Sequence, residues 1–362
     1  MPRPLVRSYR ERGSSGLRIL LVRLSSIGDV VLSLPMATML KARFPEAHIS
    51  LAVADFCAPI ARLCPDIDTL QVLKLGNWLR KQNTTLADLS IAGTMRLHRY
   101  LSRFKRLRFD IVMDLHATPL SREIVNCSHA EHSLSLTTTL KQLRRSRMIG
   151  TEDARPKKSR TIHYCEGLTA LCKIVGAQER FVFNIVVPES LLRRARRRLR
   201  RLCPSGKDIL IGICPFSRHA TKNWPLEKFA ELVCRLHQLP RVHCVICGSH
   251  RDVERLRQLS VSVDSLCRPS VAPTADLKDL AALQTMLEAF VSVDTGPMHL
   301  ASALDIPVVV LFGPTDPRWK GPYGRGPKVV IGGEARDPFL KNITVERVFQ
   351  ATLDIMDIAN RG

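Results

Sequence analysis

No stretch of this chain approaches the ~18 consecutive apolar residues of a membrane-crossing helix, so none is expected to span a bilayer. Aromatic residues make up only 5%, too few for the alternation of rings and cations that grips single-stranded nucleic acid. Acidic residues are scarce as well: 33 Asp and Glu stand against 55 Lys and Arg, a formal net charge of +22 over 362 residues. A surface that basic attracts polyanions, whether nucleic acid, anionic lipid head groups or phosphorylated substrates, and charge alone does not choose among them. The first 16 residues are basic and polar without an apolar core, which speaks against a secretory leader. G-x-G-x-x-G and G-x-x-x-x-G-K-[ST] are both missing, so the common dinucleotide and P-loop readings fail. G-x-S-x-G is missing too, and no His, Cys and Asp residues stand at metal-ligand spacing.

What is present is an ordinary globular composition, 45% hydrophobic and 24% charged, in a chain long enough for two domains. The 11 cysteines are odd in number and scattered from Cys57 to Cys267. Cys244 and Cys247 form the one C-x-x-C, but in a strand side chains three apart point to opposite faces. Buried, reduced thiols in a reducing cytoplasm are therefore expected, not a disulfide framework.

Residues 18–24 (RILLVRL) read as a buried strand, 25–29 as a turn, and 30–43 as a helix that Pro35 kinks or breaks. Strands follow at 48–53 and 69–73, with a short helix at 58–63 between them. Residues 74–97 suggest a loop and one helix, 95–108 carry six basic residues and no acidic one, and 109–115 read as a strand. Residues 141–160 hold eight basic and two acidic residues. The second half alternates more cleanly, with strands at 209–214, 242–247, 289–293 and 307–312. Its helices are expected from Pro225 at N1 to about 237, at 252–259, from an Asp276 cap to 283, at 298–304, and behind Thr344. This alternation argues for parallel sheets covered by helices. Residues 191–202 (LLRRARRRLRRL) put Leu192, Ala195, Leu199 and Leu202 on one stripe of a helix whose remaining face is arginine. That helix is a solvated surface, a docking face for an anionic surface, or an element for a nucleic-acid groove.

In open α/β sheets ligands gather at the carboxyl ends of the strands, which singles out four turns. In Ser25-Ser26-Ile27-Gly28-Asp29, Gly28 lets backbone approach a ligand, and Asp29 is either a helix cap or a carboxylate able to take a hydroxyl proton. Residues 215–225 (PFSRHATKNWP) offer hydroxyls and cations just ahead of a helix, as a pyrophosphate requires. In Asp294-Thr295-Gly296-Pro297-Met298-His299, a strand ends and a helix begins with free N–H groups; His299 is either a ligand contact or a packed histidine. Residues 312–317 (FGPTDP) and 321–324 (GPYG) make a rigid loop, lining a cleft or purely structural.

These turns, in this order, resemble glycosyltransferase family 9, the ADP-heptose:lipopolysaccharide heptosyltransferases. The likeness is carried by RILLVRLSSIGDVVLSLP at 18–35, TKNWP at 221–225, VSVDTGPMHLA at 291–301, FGPTDP at 312–317 and GPYG at 321–324. It implies an α/β fold of GT-B architecture, two Rossmann-like domains with parallel sheets facing a central cleft. The corresponding division is a basic extension at 1–17, an acceptor-binding domain at 18–187, a nucleotide-sugar-binding domain at 188–342 and a C-terminal helix at 343–362. The implied reaction moves L-glycero-D-manno-heptose from ADP-heptose to the lipopolysaccharide inner core with inversion, without metal or cofactor.

On matching positions, Asp29 is similar to the general base. Lys222, Ser217, Thr221, Thr295 and Gly296 match the donor phosphate site, and Asp294, His299 and Asp252 the donor sugar and nucleoside site. Ser25, Ser26, Gly28, His116 and Arg122 fall on the acceptor side, where His116-Ala117-Thr118 replaces a common glutamine–glycine pair. The partners implied are a nucleotide-sugar donor, a phosphorylated lipopolysaccharide acceptor and an anionic membrane surface, with no nucleic acid. A monomer, peripheral on the cytoplasmic face of the inner membrane, is expected. A family member with another sugar or acceptor, or a basic non-enzymatic protein binding membrane or RNA, are the alternatives.

Overall fold

The computed structural model describes residues 16–75, 90–149, 161–203, 209–263, 267, 269–332 and 340–361. Most of the expected basic extension, residues 76–89 of the expected loop-and-helix stretch and the 150–160 part of the second basic run lie outside them. The chain divides into two compact units, Met1–Asn184 and Ile185–Gly362. This division falls three residues ahead of the one read from the sequence. Asn184 is tied to the first unit, its Nδ2 donating to Asp66 Oδ2 at 2.8 Å.

In the first unit five parallel strands form one sheet: β1 (Arg18–Val22), β2 (His48–Ala54), β3 (Thr69–Leu73), β4 (Ile111–Asp114) and β5 (His132–Ser135), in the order β3-β2-β1-β4-β5. The central strands are apolar along their length because parallel sheets are covered on both faces. Leu20 and Val22 of β1 accordingly share one core with Ala52 and Val112. The expected helix after β1 is two helices, Ile27–Ser33 and Pro35–Arg43, broken at Leu34. Pro35 has no N–H to continue the first helix, and its fixed φ suits the first position of the second. The basic run at 95–108 lies in the helix Ile91–Leu107 and its C-cap Arg108; the helix buries Gly93, Leu97 and Phe104 and turns its cations outward. Helices Pro119–Ser128, Leu136–Ile149 and Tyr164–Ile174 complete this unit and had no clear signal in the sequence.

The second unit has six parallel strands: β6 (Ile209–Cys214), β7 (Val242–Ser249), β8 (Ser270–Thr274), β9 (Ala289–Val293), β10 (Val308–Phe312) and β11 (Lys328–Gly332), in the order β11-β10-β9-β6-β7-β8. Pro225 is the N-cap of the helix Leu226–His237, not its first residue. Trp224 donates from Nε1 to the carbonyl of Ile343 at 3.1 Å and so pins the start of the C-terminal helix Val345–Arg361. That helix buries Val345, Val348, Ala351 and Ile355 in the core of this unit. The arginine-rich helix Glu189–Leu202 buries Ala195 and Leu199 as its stripe requires. Arg194 pairs with Asp279, Arg196 with Glu189, and Arg198 donates to the carbonyl of Pro273. Arg193, Arg197, Arg200 and Arg201 are exposed and form no ion pair among the described residues.

All 11 cysteines are free thiols. Cys244 and Cys247 are both buried within β7. Burial pushes the Cys64 and Cys214 thiols up to about 12, which leaves almost no thiolate at neutral pH.

Each sheet reverses its winding direction once. In the first unit the strands proceed outward from β1 through β2 to β3, and the chain then crosses back to β4 on the other side of β1. In the second it proceeds from β6 to β8 and returns to β9. The loops leaving β1 and β4, and those leaving β6 and β9, therefore diverge and leave a crevice at their carboxyl ends.

The GPYG loop has a packing role. Gly324 donates its N–H to Ser302 Oγ at 2.9 Å, and a Cβ there would collide with the Ser302 carbonyl. Gly324→Ala should therefore cost about 1–3 kcal/mol of stability, read as a lower unfolding midpoint in denaturant. An unchanged midpoint would contradict this close approach.

Candidate functional site

The crevice of the first unit is organised by a buried cation. Arg23 follows β1, is 6% exposed, and donates from Nη1 to the carbonyl of Leu115 and from Nη2 to Asp29 Oδ2. Its guanidinium lies 5.6 Å from the centre of the Tyr164 ring. Burial acts to lower its pKa, but the field of Tyr164, the charge and hydrogen bond of Asp29 and the charge of Asp114 outweigh it, and the net direction is upward. Burial pushes the Tyr164 phenol up, so it stays neutral.

Asp29 itself is 8% exposed, on the first turn of the helix Ile27–Ser33. Besides Arg23, its Oδ2 accepts from the Ser26 N–H at 3.4 Å and from Ser26 Oγ at 3.2 Å. The cap and the buried ion pair are thus one arrangement. From the loop after β4, His116 brings Nε2 to 3.5 Å from Ser25 Oγ. Asp114 holds that loop by accepting from the N–H groups of His116 and Ala117 at 3.0 and 2.9 Å. Gly28 is buried beneath the turn, and Arg122 is exposed on the helix Pro119–Ser128, apart from these contacts.

In the second unit, Lys222 and Asp294 meet across the crevice. Lys222 Nζ lies 2.6 Å from Asp294 Oδ2, with the lysine side chain 23% and the aspartate side chain 8% exposed. Lys222 ends a single 3-10 turn, Ala220–Lys222, in the loop after β6, and Asp294 directly follows β9. Thr295 occupies the N-cap position of the helix Gly296–Ala303 without a side-chain cap hydrogen bond, and the first N–H groups of that helix follow directly on Asp294. Ser217 is nearly buried in the same loop as Lys222; its N–H donates to Asn223 Oδ1 at 2.7 Å, and its Oγ accepts from the His219 N–H at 3.3 Å. Thr221 is exposed, whereas His299 is buried one turn into the helix. Asp252 stands in the loop after β7, accepting from Ser249 Oγ at 2.6 Å. Its neighbour Arg255 stacks 3.9 Å over the Phe216 ring and so links that loop to the one carrying Lys222.

The structure thus brings Asp29 together with Ser26, Ser25 together with His116, and Lys222 together with Asp294, which Thr295 and Gly296 follow in the chain. Sequence reasoning assigned no role to Arg23, Asp114, Tyr164 or Asn223. Arg23 and Asp114 each had a signal, a charge in an otherwise apolar strand run, and Asn223 lies in the 221–225 motif. Among the described residues no group of three His, Cys, Asp or Glu side chains is placed to hold a metal ion.

The sequence profile of Glycosyltransferase family 9 (heptosyltransferase) matches residues 177–347. The chain is 24% identical over 352 residues to lipopolysaccharide heptosyltransferase 2 of Salmonella typhimurium, covering 94% of this chain and 95% of the relative. It is 26% identical over 320 residues to lipopolysaccharide heptosyltransferase 1 of Pseudomonas aeruginosa, covering 88% and 84%. The structure of Escherichia coli ADP-heptose lps heptosyltransferase II superposes with a TM-score of 0.72 at 21% identity, over 95% of this chain and 100% of that one. That likeness carries the fold class, which is GT-B.

The Lys222–Asp294 pair can be tested without any ligand. Lys222→Met leaves a buried carboxylate without its cation and should cost about 1–3 kcal/mol, whereas Lys222→Met with Asp294→Asn should recover most of it. A double-mutant cycle on urea midpoints reads this, and strictly additive losses would show that the pair is not coupled.

Proposed function

We propose that the chain is an inverting heptosyltransferase of glycosyltransferase family 9, moving L-glycero-D-manno-heptose from ADP-heptose to the lipopolysaccharide inner core. The observation that carries this reading is the second crevice. A lysine is held at 2.6 Å by a buried aspartate, which the opening N–H groups of a helix directly follow in the chain. A diphosphate fits such a place, because cation and helix start both favour negative charge. Lys222 would exchange part of its contact with Asp294 for the donor phosphates. Thr295 and Gly296 would supply donors, and Ser217 and Thr221 the hydroxyl side of the same loop. Asp294, His299 and Asp252 are assigned to the sugar and nucleoside.

Inversion needs one displacement, with a base on the acceptor hydroxyl and positive charge on the departing diphosphate. Asp29 is the proposed base. Ser25, Ser26, Gly28, His116 and Arg122 are the proposed acceptor side, and the chemistry asks for neither metal nor cofactor of its own. The relatives described above are lipopolysaccharide and ADP-heptose heptosyltransferases, which supports the substrate assignment.

The test is incubation with ADP-heptose and a panel of truncated core acceptors, with and without chelator, read by mass spectrometry. A gain of one heptose on a core acceptor is expected, and no transfer to any of them would overturn the reading. In Asp29→Asn, which keeps the size and much of the capping, single-turnover rate should fall by roughly 10²–10⁴ with donor affinity little changed. A near-normal rate would remove Asp29 as base.

The acceptor reading carries with it a monomer working at the cytoplasmic face of an anionic membrane, and the charge of +22 suits that setting. No helix among the described residues is long and apolar enough to cross a membrane. The exposed Arg193, Arg197, Arg200 and Arg201 form the proposed contact. Reversing these four to Glu should weaken sedimentation with anionic vesicles, at about 1 kcal/mol per residue, and leave transfer to a soluble acceptor intact. Binding insensitive to both salt and these changes would leave the helix merely solvated.

A further inference from the structure

We propose that Arg23 is a positioning residue for Asp29: the buried fork of its guanidinium ties the carboxylate to the loop after β4 and keeps it ready to accept a proton. This rests on the reading of Asp29 as the base and adds a second residue to it.

Two requirements on Asp29 conflict. A base must be ionised before the acceptor arrives, yet Asp29 is 8% exposed, and burying a carboxylate favours its neutral form. A protonated Asp29 could not take up another proton. The nearby fixed positive charge that resolves the conflict is Arg23, itself 6% exposed and bound to Asp29 Oδ2. Its other nitrogen, Nη1, donates to the Leu115 carbonyl, at the end of the neighbouring strand across the winding reversal. One planar group therefore sets the distance between the turn that carries Asp29 and the loop that carries His116. A lysine could supply the charge but not the two-armed geometry.

The surroundings support this division of labour. From the helix Tyr164–Ile174, Tyr164 faces the guanidinium with its ring, and its hydroxyl donates to the same Leu115 carbonyl at 3.5 Å. Cys165, on the same helix, is buried and within the field of Asp29, and its thiol is pushed up by burial first and by Asp29 and Glu166 after it. At the end of β4, Asp114 adds a second negative charge near Arg23, and its Oδ1 already accepts two backbone N–H groups. His116 faces Ser25. From the helix Ile27–Ser33 and its cap, Ser26 donates twice to Asp29 Oδ2. In this set Arg23 is the group that meets Asp29 with a full positive charge through a hydrogen bond.

The experiment measures single-turnover heptosyl transfer against pH for the wild type, Arg23→Met, Arg23→Lys, Asp29→Asn and the double variant Arg23→Met with Asp29→Asn. ADP affinity and melting curves are recorded on each. In Arg23→Met the acid limb of the rate profile should move up by about 1–3 pH units, so the rate falls at least tenfold at neutral pH and partly recovers in alkali. Arg23→Lys should keep the limb near its wild-type place with a lower plateau. In the Asp29→Asn background, Arg23→Met should cost little more. ADP affinity should stay within about twofold throughout, since Arg23 and the Lys222 loop lie in separate units. An unmoved acid limb in Arg23→Met, or a loss that multiplies with that of Asp29→Asn, would overturn the proposal. If Arg23→Met does not fold, Arg23→Lys decides: a plateau equal to wild type would overturn it. A near-normal rate in Asp29→Asn, or no heptose transfer by the wild type, would bring down the underlying reading and this one with it. Normal Asp29 dependence with an indifferent Arg23 would bring down this one alone.

Discussion

A parallel sheet with helices on both faces has a simple constraint: each crossover must return the chain to the end of the sheet at which the strands begin. The strands can therefore be filled from the middle outward in one direction and then in the other. Where the direction changes, two adjacent strands send their following loops apart. In this chain the change falls between β1 and β4, and again between β6 and β9. The two ion pairs assigned a chemical role follow from those two places. Arg23 and Leu115 can meet because β1 and β4 are neighbours, although they are 92 positions apart in the chain. Lys222 and Asp294, 72 positions apart, meet because β6 and β9 are neighbours.

The two crevices carry related electrostatics in different settings. Both hold a cation against a carboxylate at a helix start. In the first the cation is an arginine buried behind the carboxylate, fixed by a carbonyl and an aromatic ring. It cannot leave without stranding Asp29 in a poorly solvated place. In the second the cation is a lysine whose side chain is partly exposed, on a short turn. A compact ammonium on a flexible stem can shift to an incoming anion with little rearrangement. The fixed pair suits holding a base, and the movable pair suits receiving a charged leaving group.

The surface charge is organised as well. Of the arginines in the helix Glu189–Leu202, Arg194 and Arg198 reach Asp279 and the Pro273 carbonyl and anchor the helix to its unit, while Arg196 pairs with Glu189 of the same helix. The exposed remainder lie at intervals of four, three and one, so they share a face. The helix thus has a structural side and a side on which positive charge is left to solvent or to a partner.

Much of this was legible in the sequence, for local reasons. Strands such as β3, β6 and β9 match their sequence-derived limits because buried parallel strands are short apolar runs bounded by turn residues. The break before Pro35 and the Asp276 cap were legible because proline geometry and capping depend only on neighbours. The strand-end motifs marked Asp29, Lys222 and Asp294 as chemical residues. Helices such as Pro119–Ser128 and Tyr164–Ile174 escaped, since short amphipathic segments take their stability from the sheet they pack on. Arg23 shows the limit most clearly. Its sequence context says only that a charge lies in an apolar run, and a buried charge needs a partner. Which partner it finds depends on strand order, and strand order is a property of long-range pairing that no local pattern contains. The residue types and their place at strand ends were determined by the sequence alone; the pairing of Arg23 with Asp29 and Leu115, and of Lys222 with Asp294, was decided by the tertiary structure.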